Sequence, residues 1–197
     1  MSVPPAPPLL LASRSPQRRA ILAQLRIPFD AVEPAYEERA IDGERPVETV
    51  RRHARGKARS VGAEAGERPV LGVDTEVVAS GRVYGKPGTA EEAATMLDEL
   101  AGRTHEVVSG VCLLTPAWEE VRHEITRVTL RQLTPRELGH YLAAGEWEGR
   151  AGGYAVQGLG ASLVERIEGD YLNVVGLPAG VLVRLLAERF AGTYGFG

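Results

Sequence analysis

Apolar and polar positions along the chain switch repeatedly between a two-residue and a 3.6-residue period, and this alternation predicts strands interleaved with helices. Leu9 to Ala12 is an unbroken apolar run of strand length, followed at once by Ser15 and Pro16, an N-cap and a first-turn proline. The spacing predicts a strand and then a helix to about Arg26. A short strand is expected over Phe29 to Val32. Next comes a helix opened by Pro46, with Val47, Val50, Ala54, Ala58 and Val61 on one face. "VLGVDTEVVASGRVYG" reads as two β segments about a Ser80-Gly81 turn. Thr89 with Glu92, and Thr134 with Glu137, have capping-box spacing and open helices to about Leu100 and Gly145. "THEVVSGVCLLT" and "VRHEITRVTLRQL" are expected to be long neighbouring strands, and "ASLVERIEG" a further strand. A last helix is expected from about Pro178 to Phe190. The pattern is α/β. With no internal repeat and no long linker, it predicts one domain over residues 1–197, led by a proline-rich stretch at residues 1–8.

Composition narrows the classes. No apolar run approaches the roughly 18 to 20 residues of a membrane span, and "MSVPPAPPLL" lacks the parts of a signal peptide, so a soluble cytoplasmic protein is expected. A single cysteine, Cys112, sits among apolar residues and reads as a small core hydrophobe. The net charge of −3 argues against a nucleic-acid coat protein. Arg51, Arg52, Arg55, Lys57 and Arg59 crowd one helix, where they form either a solvated face or a nucleic-acid surface.

Several polar residues fall where apolar ones are expected. On a helical wheel Arg18 lines up with Ile21, Leu22 and Leu25, so it points inward and needs either an anion or a structural carboxylate. Ser13, Ser15 and the free N–H groups of that helix start favour an anion. Lys57 lies on the border of the apolar stripe of its helix; it either reaches inward or buries only its stem. Asp74 follows the apolar run Val70 to Val73, where a carboxylate calls for a partner; it is a candidate metal ligand or base, or else caps a turn. "GRVYGKP" is not a Walker loop, having one residue too few between its glycines and a proline in place of the hydroxyl, although Lys86 within it suits a phosphate. The glycines of "RAGGYAVQGLGAS" do not match a dinucleotide fingerprint. They either bring backbone close to a ligand, with the amide of Gln157 reading a base edge, or form a plain turn. His53, His105, His123 and His140 lack zinc spacing and receive no chemistry, and there is no serine-hydrolase elbow.

Taken together, "LASRSPQRR", "GVDTEVVASGRVYGKP", "LAGRTHEVVSGV", "AGGYAVQG" and "IEGDYLNVVGLP" resemble the Maf family of nucleoside triphosphate pyrophosphatases, in order and over nearly the whole chain. The resemblance implies an inosine-triphosphatase-like α/β fold: a long twisted mixed sheet flanked by helices, with two lobes around a nucleotide cleft. It also implies metal-assisted cleavage between the α and β phosphates, giving a monophosphate and pyrophosphate, with Mg²⁺ or Mn²⁺. By motif position Asp74 matches the catalytic aspartate and Glu38 its acidic partner, both on the metal. Lys57 and Lys86 match the catalytic lysines, while Ser13, Ser15, Arg18 and Arg19 fall in the phosphate-contacting loop.

Thr75 and Gln157 resemble the branch acting on dTTP and UTP rather than the 7-methyl-GTP branch. Gln17, where that branch usually has arginine, and Gly149-Arg150, where it has Asp-Lys, depart from the pattern. The family suggests a homodimer and a nucleoside triphosphate as the partner that matters; apolar run length and net charge predict neither membrane nor stable nucleic-acid binding. Its history of septum phenotypes supplies a second expectation, a nucleotide-sensing regulator of cell division.

Overall fold

A computed structural model describes residues 6–197; of the proline-rich leader, residues 1–5, with Pro4 and Pro5, lie outside the described residues. Seven strands form one mixed sheet: β1 (Leu9–Ala12), β2 (Phe29–Val32), β3 (Val70–Ala79), β4 (Arg82–Tyr84), β5 (Thr104–Leu114), β6 (Glu119–Leu130) and β7 (Val164–Glu168). The order is β2-β1-β3-β5-β6-β7, with β4 added to β3. β1 runs parallel to β2 and β3, whereas β3/β4 and β6/β7 are antiparallel. Among the described residues seven α-helices accompany it: α1 (Pro16–Gln24), α2 (Pro46–Ser60), α3 (Gly62–Ala65), α4 (Ala90–Leu100), α5 (Pro135–Ala143), α6 (Tyr171–Val175) and α7 (Ala179–Phe190). The α/β reading holds. No helix among the described residues is long and apolar enough to cross a membrane.

The chain forms two compact units, neither continuous in sequence. One takes the described residues to Asp74, then Ser109–Glu124 and Gly176–Gly197; the other takes Thr75–Val108 and Ile125–Val175. The first unit's core contains Leu10, Ala12, Val70 and Cys112 with Ala54, Ala58 and Val61. Val50, Ala54 and Ala58 of the α2 stripe are fully buried, as their spacing predicts. The helix backbone lies directly on the strands. A Cβ at Gly72 of β3 would overlap the Ala54 carbonyl oxygen, and one at Gly110 of β5 would overlap that of Val50. Only a residue without a side chain lets helix and strand come so close. The C-terminal end closes on the same unit, where the Tyr194 hydroxyl donates to the Pro7 carbonyl at 2.8 Å.

The second unit packs Val77, Tyr84, Leu97, Leu100, Val107, Val128, Leu130, Tyr141, Tyr154, Val156 and Leu163 together. Ser80 and Gly81 both take positive φ, as a tight hairpin turn between β3 and β4 requires.

Some local expectations need correction. Thr89 accepts from the Glu92 N–H, but Glu92 reaches back to Gly88 rather than to the cap, so only half of that box forms. Thr134 and Glu137 form the full box. "ASL" is the end of a 3-10 turn over Gly158–Leu163, and the strand begins only at Val164. α1 stops at Gln24, and Arg26 takes φ 55°. α6 falls where no element was expected.

Candidate functional site

In the first unit β1 leads straight into a polar turn, which is how an apolar run of four residues comes to precede serines and arginines. Ser13 is buried, and its hydroxyl oxygen accepts from the Ser15 N–H at 3.2 Å and from Arg18 Nη1 at 3.1 Å. Ser15 caps α1 by accepting from the Arg18 N–H, and its hydroxyl donates to Gln17 Oε1 at 3.0 Å. Arg18 turns inward as the wheel predicts and donates through Nε to the Gly176 carbonyl at 2.9 Å. Burial lowers its pKa, while the carboxylates of Asp74 and Glu38 oppose that loss. Arg19 is exposed on α1.

α2 and β3 bring the other groups together. Asp74 is only 6% exposed and Lys57 only 8%. Lys57 Nζ donates to Asp74 Oδ1 at 2.6 Å and lies 2.5 Å from Glu38 Oε1. Lys57 therefore reaches inward, and the alternative of a buried stem with a solvated head does not hold. Asp74 lies in the middle of β3 rather than at its carboxyl end, and it caps no turn. Burial alone would raise its pKa; the hydrogen bond from His53, the charge and hydrogen bond of Lys57 and the charge of Arg18 outweigh that and hold it at about 2. Glu37, next to Glu38, pairs instead with Arg39 on the exposed side.

Glu38 sits on the loop between β2 and α2, which α2 holds in place. Arg52 pairs with Glu44 at 2.5 Å and donates to the Arg39 carbonyl at 3.0 Å. Tyr36 lies over Gly56, where any Cβ would strike its ring. Arg55 and Arg59 pair with Glu119 on β6. Thus three arginines of the basic run, Arg52, Arg55 and Arg59, have carboxylate partners within the protein.

Sequence reasoning gave no chemistry to His53, yet this residue, 5% exposed, belongs to the cluster. Its Nδ1 lies 3.5 Å from Asp74 Oδ2 and 4.0 Å from Glu38 Oε2, and the hydrogen bond to Asp74 raises its pKa against the opposing effect of burial. Zinc-type spacing could not reveal it, because its partners come from a loop and a strand distant in sequence. The usable signal was its place one helical turn before Lys57. Glu38, His53 and Asp74 offer ligand atoms within 4.8 Å of one another, the kind of set that a divalent cation takes.

Lys86, Thr75 and Gln157 belong to the second unit. Lys86 is exposed after β4, Thr75 is half-buried on β3, and Gln157 is exposed on the glycine-rich segment. That segment is held by three side chains. Tyr154 hydroxyl and His105 Nε2 lie 2.7 Å apart, Tyr141 hydroxyl accepts from the Ala155 N–H, and Glu146 accepts from the N–H groups of Leu159 and Gly160 at 3.0 Å each. Cys112 is buried with its thiol pushed up to about 12 by burial, so it is chemically quiet.

Residues 8–189 match the model of the Maf-like protein family. A protein named dTTP/UTP pyrophosphatase from Nitratidesulfovibrio vulgaris is 46% identical over 94% of this chain and 90% of its own length. One of the same name from Gloeobacter violaceus is 46% identical over 91% of this chain and 95% of its own. Among solved structures, a HAM1 protein from Coxiella burnetii aligns with 62% of this chain and 72% of its own at 21% identity and a TM-score of 0.41. With a family model spanning almost the whole described chain and relatives this similar along nine-tenths or more of their length, the chain belongs to the Maf family.

Proposed function

We propose that this protein is a nucleoside triphosphate pyrophosphatase that hydrolyses dTTP and UTP to the monophosphate and pyrophosphate. The observation that carries the reading is the joining of Asp74, Glu38, Lys57 and Arg18, from four separate stretches of sequence, into one charged cluster within a Maf chain, with Asp74 and Lys57 buried and Glu38 on its exposed side. The names of its relatives supply the substrates.

A triphosphate resists attack by water because its own negative charge repels the nucleophile until fixed positive charge offsets it. Arg18 and Lys57 supply that charge in a site already shaped for it. Ser13 and the Gly176 carbonyl hold the guanidinium in one orientation. Lys57 is engaged by both carboxylates and is released to phosphate oxygens when these compete for it. A divalent cation, Mg²⁺ or Mn²⁺, fits the cluster, and when bound it neutralises phosphate charge and acts as a Lewis acid. Asp74 and Glu38 would hold it through oxygen. With its carboxyl held at about 2, Asp74 is fully ionised at neutral pH; it orients the attacking water, and accepts its proton only once Lys57 has turned to the phosphates. Ser15 and Arg19 as phosphate contacts, Lys86 as a further phosphate cation, Thr75 and Gln157 as base contacts, and Gln17 as a modulator of base choice rest on the motif match.

Purified protein with Mg²⁺ or Mn²⁺ and each common nucleoside triphosphate tests the reading through its products. Pyrophosphate and monophosphate from dTTP and UTP are expected, with the rate reduced about 100-fold to 1,000-fold in Asp74→Asn at unchanged circular dichroism. Preference for a purine triphosphate would overturn the substrate assignment, and orthophosphate in place of pyrophosphate would overturn the reaction.

A further inference from the structure

The two carboxylates divide their oxygens. Glu38 Oε1 and Asp74 Oδ1 face Lys57 Nζ, whereas Glu38 Oε2 and Asp74 Oδ2 face the imidazole of His53 at 4.0 and 3.5 Å from Nδ1. Donor atoms around a small divalent cation, each about 2.1 Å from it, are roughly 3 to 4 Å apart. Both distances from His53 Nδ1 have that spacing, and ligand atoms of the three residues lie within 4.8 Å of one another.

The ring is also oriented as a ligand would be. Its other nitrogen, Nε2, lies 3.3 Å from the Arg39 carbonyl oxygen, which can only accept, so Nε2 carries a hydrogen and Nδ1 is the atom left for the carboxylates. Arg52 donates to the same carbonyl and keeps it in place. The Tyr36 ring meets the imidazole edge-on with centroids 5.8 Å apart. A backbone carbonyl behind the far nitrogen is the usual support of a metal-bound histidine.

We infer that His53 is a third protein ligand of the cation, and that its nitrogen turns the site from Mg²⁺ towards ions such as Mn²⁺ and Co²⁺. The inference rests on the reading that Glu38 and Asp74 hold a divalent cation. The ion takes the position of the Nδ1 proton, which leaves to solvent, and imidazole suits first-row transition ions where Mg²⁺ prefers oxygen throughout.

The test uses chelator-treated full-length protein titrated with Mn²⁺ alone, free Mn²⁺ being followed by electron paramagnetic resonance. Mg²⁺ serves as competitor, and Co²⁺ absorption reports the donor set. The wild type is expected to bind one Mn²⁺ and to release it only to a large excess of Mg²⁺. His53→Leu is expected to lose roughly tenfold or more in Mn²⁺ affinity with Mg²⁺ affinity little changed, and its Co²⁺ spectrum shifts as nitrogen is replaced by water. His53→Gln keeps a polar side chain in the cluster and reports the same loss if the leucine variant does not fold. Unchanged Mn²⁺ affinity and Co²⁺ spectrum in a folded His53 variant would show an oxygen-only site and overturn the inference. Absence of Mn²⁺ binding in the wild type, matched by Asp74→Asn, would instead overturn the metal reading beneath it.

Discussion

Gly56 is a poor residue for the interior of a fifteen-residue helix, where glycine costs about 1 kcal/mol relative to alanine. Its reason is the ring of Tyr36, which occupies the space a side chain would need. The same ring meets His53 edge-on, and Tyr36 lies two residues before Glu38 on the loop between β2 and α2. Gly56→Ala therefore sets two effects against each other. Helix α2 gains intrinsic propensity, while Tyr36 and the Glu38 loop are pushed away from the carboxylate cluster. Pyrophosphate release is expected to fall at least tenfold, while thermal unfolding changes by only a few degrees because the gain and the clash oppose one another. A variant with full activity would show that the loop is not positioned through Gly56. Arg18 and Asp74 were legible in the sequence because each breaks an apolar pattern in a way that demands a partner. His53 was not legible, because a buried polar residue on a helix face reveals nothing of the loop and strand that meet it.

At the level of elements, the glycine-rich segment around Tyr154 shows how a loop with few side chains is given a fixed course. His105, Tyr141 and Glu146 reach it from β5, from α5 and from the turn after α5. His105 is 1% exposed, and burial lowers its pKa from 6.5 to about 4. The folded state thus holds this proton less readily than the unfolded chain. Stability contributed by the neutral ring is complete above about pH 6.5 and is lost as the pH falls towards 4, by up to ~3 kcal/mol. Urea unfolding at pH 7.0 and 4.5 should show that loss in the wild type, and His105→Gln should flatten the difference between the two pH values. An equal acid loss in the variant would place the effect on other groups. Element boundaries were readable where the signal was local, as at Thr134, whose cap and Glu137 answer each other within one turn. They were unreadable where short pieces depend on distant support. α6 has five residues, and the buried Asn173 side chain within it donates to the Val107 carbonyl and to Thr126, neither near it in sequence.

For the molecule as a whole, the path of the chain matters more than any one helix. It passes from one compact unit to the other at Asp74, Val108, Glu124 and Val175, and the first three of these points lie inside strands β3, β5 and β6. Neither unit can be cut out as a continuous piece. A fragment of residues 1–74 would carry every residue of the charged cluster yet lack Ser109–Glu124 and Gly176–Gly197, including Cys112 and the seat of α2 on Gly110. Such a fragment is expected to remain unfolded by circular dichroism and amide dispersion, and to bind no Mn²⁺. A folded fragment would show that its own core suffices. Fold class, and β5 and β6 as neighbouring strands, were legible from alternation and from the family resemblance. Two lobes were expected from the resemblance, but the residues at which the chain divides were not legible, because nothing in a continuous strand marks the residue at which its packing partners change.

Gly72 and Gly110 touch no charged group, yet they set how far Lys57 and His53 stand from Asp74. Each is a spacer of a single hydrogen atom between a helix and the strand beneath it. Charge positions in this cluster are thus gauged by backbone thickness, which has no rotamers and does not drift. A methyl group at either place would tilt α2 and change the reach of a lysine and a histidine together, while every reactive side chain remained in the sequence. The means of adjusting this charged cluster therefore include positions that carry no charge and that no motif search would mark.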